Sequence, residues 1–359
     1  MNSTNSINPL AADLDHILTH TKDLWEELRD QRIFITGGTG FFGCWLLESF
    51  LWANDKLNLD CHATVLTRSY DSFRAKAPHL AGHSAVTVVE GNARTFDFPA
   101  GMFSHIIHAA TEMSPDLQNI DPLLKFTSNI DGTRRVLDFA RISGVRKFLF
   151  TSSGAVYGKQ SSDLTHIPEY YVGAPDTIDP NTAYGQSKRA SEFLCAAYTK
   201  KYGLQTLIAR CFVFIGPGIP LDSNLAVGNF IRDAMNGNPI QISGDGTPYR
   251  SYLYAADLAI WLWTILFKGQ SCRPYNVGSE KDLTIAQLAQ TVANTIAPNL
   301  PIQIAKKSIN GQPIERYVPM TQRAKTELGL QEFIKLPDAI QRTVQWHTSF
   351  IHQENTNKP

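Results

Sequence analysis

The run Arg32-Ile33-Phe34-Ile35-Thr36-Gly37-Gly38-Thr39-Gly40-Phe41-Phe42-Gly43 constrains this chain more than any other. Ile33, Phe34 and Ile35 form a short apolar stretch suited to a strand buried on both faces. Glycines then recur at a spacing of three, and residues 44–51 carry helical periodicity. A strand, a glycine turn and a helix in that order form the context of a phosphate-binding loop. Gly37 permits the tight turn, Gly40 lets the backbone approach a pyrophosphate, and Gly43 lets the helix lie close to its strand. The helix N-terminus then offers unpaired N–H groups and partial positive charge to the phosphates.

The chain beyond this run repeats the alternation. Strands are expected at 62–67, 85–89, 104–108, 147–151 and 206–212, with helices notably at 122–143 and 183–202. Such a chain predicts an α/β fold, a doubly wound (Rossmann-like) parallel sheet whose carboxyl edge carries the loops that bind ligands. Residues 1–9 read as a tail, and an amphipathic helix over 10–28 precedes the first strand. The dinucleotide-binding domain spans 31–215. Beyond Gly216-Pro217-Gly218 the loops lengthen and the helices shorten, for example 229–236 and 285–296. This predicts a smaller substrate-binding lobe over 216–350, with part of 252–278 crossing back to the large domain, and a tail at 351–359. Trp261 and Trp263 are expected in the core.

Composition narrows the partners. Lys plus Arg equals Asp plus Glu at 33 each, so no general field draws nucleic acid or an anionic membrane surface. The most apolar late stretch, 253–267, is broken by Asp257 and too short to span a bilayer. The N-terminus lacks the apolar core of a signal peptide. Five scattered cysteines without a CxxC pair predict neither a disulfide framework nor a zinc site, and fit a reducing cytoplasm. His105 and His108 are expected on one face of one strand. No carboxylate or cysteine stands in register with them, so no metal is expected.

Tyr184 and Lys188 are four apart in the helix expected at 183–202, on one face and one turn from each other. An ammonium beside a phenol is expected to favour the phenolate and bring it towards use near neutrality. Thr151-Ser152-Ser153 ends the fifth strand at the same sheet edge. A hydroxyl there could hold a substrate oxygen while Tyr184 exchanges its proton.

Taken together, TGGTGFFG (36–43), His108-Ala109-Ala110, Asn129-Ile130-Asp131-Gly132-Thr133, TSSGAVYG (151–158), YGQSK (184–188), GPG (216–218), Arg250-Ser251-Tyr252-Leu253-Tyr254 with Asp257, and Asn276-Val277-Gly278 stand in family order. Over residues 32–330 the chain resembles the extended short-chain dehydrogenases/reductases, the nucleotide-sugar epimerases and dehydratases. The resemblance implies a catalytic set of Ser153, Tyr184 and Lys188. Tyr184 would be the acid/base, Lys188 would hold the nicotinamide ribose, and Ser153 would orient the substrate oxygen. It implies cofactor contacts from Gly37, Thr39, Gly40, Phe41, Phe42, Gly43, Ala109 and Ala110, with Asn129 supporting the active-site backbone. Thr111, Ser153 and Arg250 would meet the substrate, a nucleoside-diphosphate sugar, with Arg250 on its pyrophosphate. A homodimer through the helices at 122–143 and 183–202 is also implied.

Departures from the family pattern narrow the reaction. Where the sugar-nucleotide 4,6-dehydratases carry an Asp-Glu pair after the strand-end hydroxyl, this chain has Gly154 and Ala155. Ala155 also stands where sugar-acid decarboxylases have glutamate and dual 3,5-epimerase/reductases have cysteine. Hydride exchange at one carbon remains, as a 4-epimerase or a 4-ketosugar reductase. A dehydratase using Glu112 from another loop is the alternative, and a non-catalytic dinucleotide sensor is the rival from another class. Val213 replaces an asparagine that often touches the substrate phosphate. At the end of the second strand Arg68 stands where NAD enzymes usually have an acid, and could meet a 2′-phosphate. Asn92 replaces an aspartate near adenine. NADP or NAD is expected, with a lean to NADP.

Overall fold

The computed structural model describes residues 8–111, 121–223, 225–309, 311 and 313–356. The helix expected over 10–28 divides into α1 (Ala11–Thr21) and a 3₁₀ segment, Lys22–Leu28. Thr21 donates to the Ile17 carbonyl and accepts from Trp25 Nε1. In the tighter 3₁₀ coil residues three apart line up, which carries both Trp25 and Leu28 into the core.

The alternation then runs β1 (Arg32–Thr36), α2 (Phe41–Leu57), β2 (His62–Thr67), the short α3 (Tyr70–Lys76) and α4 (Pro78–Ala81), and β3 (Val86–Glu90). It continues with β4 (His105–His108), α5 (Pro122–Ile142), β5 (Lys147–Ser153), α6 (Ala183–Tyr202) and β6 (Gln205–Cys211). Next come β7 (Phe214–Ile215), α7 (Ala226–Met235), β8 (Ile240–Ile242), β9 (Tyr249–Ser251), β10 (Leu253–Tyr254) and α8 (Ala255–Lys268). The chain ends through β11 (Pro274–Val277), β12 (Asp282–Thr284), α9 (Ile285–Ile296), β13 (Ile302–Ile304), β14 (Arg316–Tyr317), α10 (Gln322–Leu328) and α11 (Leu336–Thr356).

Seven of these strands form one sheet in the order β11-β6-β5-β4-β1-β2-β3, every pair parallel. Parallel neighbours need long crossovers, and the helices supply them. Side chains alternate between two cores. Ile33, Ile35, Ile107 and Leu149 pack with α1, α2 and α8, whereas Phe34, Ile106, Phe148 and Phe150 pack with α5 and α6. The segment 274–277 does return to the large sheet, as its edge strand β11. Trp261 and Trp263 of α8 are core residues. The remaining strands make small sheets, of which β12-β9-β14 borders the candidate site.

The chain leaves β1 in one direction and β4 in the other, so the switch in strand order falls between β1 and β4. The carboxyl ends at Thr36, His108 and Ser153 gather there. His105 and His108 do not share a face. Three apart on a strand is an odd step, and His105 reaches Glu27 while His108 reaches Thr133. No helix of the described residues is long and apolar enough to cross a membrane.

Candidate active site

The glycine loop joins β1 to α2. Gly37 has φ +71°, and a Cβ there would come within 2.6 Å of the Ala109–Ala110 backbone. Gly43 is pressed against the loop itself: its Cβ would lie 2.2 Å from the Gly37 carbonyl oxygen. The close approach expected between helix and strand is thus an approach of helix to loop. Gly40 differs, since its Cβ would meet only Gly37 O, at 3.4 Å. Gly40 is also the N-cap of α2 and has no side chain to satisfy the first-turn N–H groups. Two packed glycines and one open one, at an uncapped helix start, fit a dinucleotide pyrophosphate. Thr39, Phe41 and Phe42 lie half-buried around this turn, with Phe42 edge-on to Phe214.

The rim beside the loop carries mixed charge. Arg68 is exposed at the end of β2, and Lys76 Nζ donates to the Thr39 carbonyl at 2.8 Å. Glu90, opposite Thr67 in the β2–β3 register, accepts from the Tyr70 N–H at 3.1 Å. The sequence pattern points to Arg68 alone, because Lys76 and Glu90 reach this edge from other elements. Asn92 is occupied as a turn acceptor for Arg94 N–H through Oδ1, which leaves its amide group for a ligand.

Beneath the cleft a buried polar chain fixes the floor. Thr133 donates to the Asn129 carbonyl (2.7 Å), so it accepts from His108 Nε2 (3.1 Å). His108 Nδ1 is left to accept from Thr36 Oγ1 (2.6 Å), whose oxygen also takes the Ala110 N–H (3.2 Å). Burial, reinforced by the Lys188 charge, pushes the His108 pKa down to about 3, so the ring is neutral. Asn129 Oδ1 accepts from Thr111 Oγ1 (3.1 Å), and its Nδ2 donates to Ser187 Oγ (3.0 Å). Ser187 in turn donates to the Tyr184 carbonyl (2.8 Å). Thr111, Asn129 and the start of α6 are therefore one unit.

Ser153, Tyr184 and Lys188 come together at the carboxyl end of β5. The Thr151 carbonyl accepts from Lys188 Nζ at 2.9 Å, and Ser153 stands beside the Tyr184 phenol, where it opposes the effect of burial. The ammonium stands 5.9 Å from the Tyr184 ring centre and 4.9 Å from that of Phe150. The expected lowering of the phenol does not appear. Burial pushes Tyr184 up to about 12, with Ser153 opposing, and burial pushes Lys188 down to about 8. The reason is burial, which outweighs the other influences on the phenol, and Lys188 is not among the groups that lower it.

A second phenol, which no sequence motif marks, enters this cluster. The Tyr317 ring on β14 packs tilted against that of Phe212, centroids 4.7 Å apart, and its hydroxyl lies 3.5 Å from Ser153 Oγ. A Cβ at Gly154 would fall 2.6 Å from that hydroxyl and 2.7 Å from Phe212 Cζ. Gly154 thus leaves the space that Tyr317 fills. A lone Arg-Tyr pair 164 residues downstream of Ser153 gave no pattern that could reveal it. Arg250 pairs with Tyr317 in the β9–β14 register and lines a cavity of about 490 Å³ with Gly158, Lys159, Gln160, Glu315 and Tyr317. Its fork is engaged by Glu315, Nη2 to Oε1 at 2.5 Å. Val213 gives its carbonyl to Leu253 N–H. Glu112 lies outside the described residues. Among the described residues no three His, Cys, Asp or Glu side chains converge as metal ligands.

Residues 33–278 match the model of the NAD dependent epimerase/dehydratase family. The chain belongs to that family. Its similarities within the family spread over several reactions. It is 27% identical over 332 residues to UDP-glucuronic acid decarboxylase 1 of Danio rerio, covering 91% of this chain and 75% of that one. The fold matches an epimerase from Methanothermobacter thermautotrophicus with a TM-score of 0.76 at 20% identity, over 95% of this chain and 98% of the other. It also matches the dTDP-glucose 4,6-dehydratase DesIV of Streptomyces venezuelae, solved with NAD and TYD bound. There the TM-score is 0.76 at 23% identity, over 90% of this chain and 98% of the other.

Proposed function

We propose that this family member is an NAD(P)-dependent enzyme that exchanges hydride at carbon 4 of a nucleoside-diphosphate sugar, as a 4-epimerase or a 4-ketosugar reductase. One observation carries the reading. Ser153 stands beside the Tyr184 phenol at the carboxyl end of β5, and the two residues after Ser153, Gly154 and Ala155, have no group able to eliminate water or steer a decarboxylation. Ala155, where sugar-acid decarboxylases carry glutamate, argues against decarboxylation in spite of the similarity to UDP-glucuronic acid decarboxylase 1.

A bound nicotinamide supplies the hydride acceptor or donor. Ser153 holds the carbon-4 oxygen, Tyr184 moves its proton, and Lys188 holds the ribose from the floor of the cleft. With its phenol pushed up to about 12, Tyr184 rests as the acid, the form that protonates a ketosugar oxygen. Arg250, on releasing Glu315, receives the diphosphate in the 490 Å³ cavity, and Thr111 meets the substrate. Arg68 and Lys76 against Glu90 leave the adenosine rim net positive, which favours NADP. The exposed Leu123, Leu124 and Phe126 of α5 and Phe193 of α6 favour a homodimer through those helices, in a reducing cytoplasm.

The deciding assay incubates the purified protein with NADPH or NADH and a 4-keto sugar nucleotide, and separately with a panel of sugar nucleotides that includes UDP-glucuronic acid. Cofactor consumption identifies the reductase. Interconversion without net absorbance change identifies the epimerase. Loss of carbon dioxide from the acid would overturn both.

A further inference from the structure

Two charged residues that the catalytic assignment leaves unused meet beneath the cluster. Ser152 follows Phe148 and Phe150 on the face of β5 that α5 and α6 cover, since residues two apart share a face. Arg210 stands opposite it on β6 in the strand register. Glu192 descends from α6 between them. Its Oε1 accepts from Ser152 Oγ at 2.5 Å and Arg210 Nε at 3.0 Å, and its Oε2 accepts from Arg210 Nη2 at 2.7 Å. Arg210 Nη1 continues to the Tyr157 hydroxyl (2.8 Å), which donates to Asn276 Oδ1 (2.8 Å) on β11. The pair is well sheltered, at 15% exposure for Arg210 and 11% for Glu192.

The neighbouring Thr151 holds the same helix at a second point, its carbonyl accepting from Lys188 Nζ at 2.9 Å, and Ser153 stands beside the Tyr184 phenol. Three consecutive strand residues therefore face positions 184, 188 and 192, which a four-residue spacing puts on one helix face, and two of them bond it. Apolar contacts such as those of Phe148 and Phe150 tolerate sliding along a helix, whereas a two-pronged guanidinium–carboxylate contact has one geometry. We propose that Glu192 is a positioning residue: held between Ser152 and Arg210, it fixes where α6 lies along β5 and so aims Tyr184 and Lys188 at the nicotinamide half of the cofactor. The proposal rests on the protein binding a dinucleotide at the glycine loop.

The test needs no sugar substrate. ADP probes the glycine loop alone, whereas NADH (or NADPH, if it binds more tightly) also probes the Lys188 end. Full-length protein and the variants Ser152→Ala, Ser152→Thr and Glu192→Gln are titrated with both ligands. Ser152→Ala comes first because it removes one grip without leaving a buried charge unpaired. The expected result is a loss of about 3- to 10-fold in NADH affinity, the scale of one ordinary intramolecular hydrogen bond. ADP affinity should be unchanged, and Ser152→Thr should restore NADH binding to within about twofold. Glu192→Gln, if recovered folded, should weaken NADH at least as much. NADH affinity unchanged in Ser152→Ala, or NADH and ADP weakened alike, overturns the positioning role. If the unmodified protein bound neither ligand, the dinucleotide reading itself would fail, and this inference with it.

Discussion

Replacing Gly154 by alanine tests whether Tyr317 belongs to the catalytic cluster. The added methyl would sit 2.6 Å from the Tyr317 hydroxyl and 2.7 Å from Phe212 Cζ, where ordinary contact begins near 3.4 Å. Something must give by about 0.8 Å in a site where Ser153, Gly154 and Phe212 are buried and the Tyr317 ring is packed against that of Phe212. Overpacking on this scale costs about 1–3 kcal/mol. Tyr317→Phe deletes only the hydroxyl oxygen and leaves the Phe212 contact in place. In that background the alanine should cost roughly 1 kcal/mol less, a coupling typical of touching residues. Urea unfolding of the four proteins in the cycle, read from midpoints at constant slope, measures it. A cost below about 0.5 kcal/mol, or the same cost with either residue at 317, would show that the hydroxyl does not occupy the space beside Ser153.

Three further outcomes are expected. Tyr184→Phe should slow turnover of the true substrate by about 10²- to 10⁴-fold while ADP still binds, and unchanged turnover would overturn the acid/base assignment of Tyr184. With Lys188 lowered to about 8, its proton is present below that pH and lost above it. NADH affinity should then fall as pH rises through about 8 while ADP affinity holds, and a flat NADH profile from pH 6 to 9 would refute the ribose role. Stability runs the other way, since the buried ammonium's penalty is relieved between about 8 and the ordinary 10.5. Arg68→Ala should abolish any preference for 2′,5′-ADP over ADP, as calorimetry would show. Equal affinities in the unmodified protein would remove the case for NADP.

The glycine loop, β5 and α6 were legible because local order and local pattern agree there: buried strand, turn, amphipathic helix. The four-residue spacing of Tyr184 and Lys188 survived intact for the same reason. Their electrostatic consequence did not, because burial dominates both pKa values and burial is not written in a spacing. The two-part N-terminal helix depended on Trp25 finding its pocket, a tertiary fact. Tyr317, Lys76, Glu90 and the Glu192–Arg210 pair are all brought in by strand register or by distant crossovers. For Tyr317 in particular, only the missing side chain at Gly154 left a trace, and it reads as a departure from a pattern, not as a place for a phenol.

The separation between Ser153 and Tyr317 also orders events on the ribosome. The glycine loop itself, β5 and α6 have all been synthesised by Cys211, the end of β6. The phenol that closes the other side arrives with β14. At typical elongation speeds of about 5–20 residues per second, the nascent chain passes roughly 5–20 s in which the second half of its cleft does not yet exist.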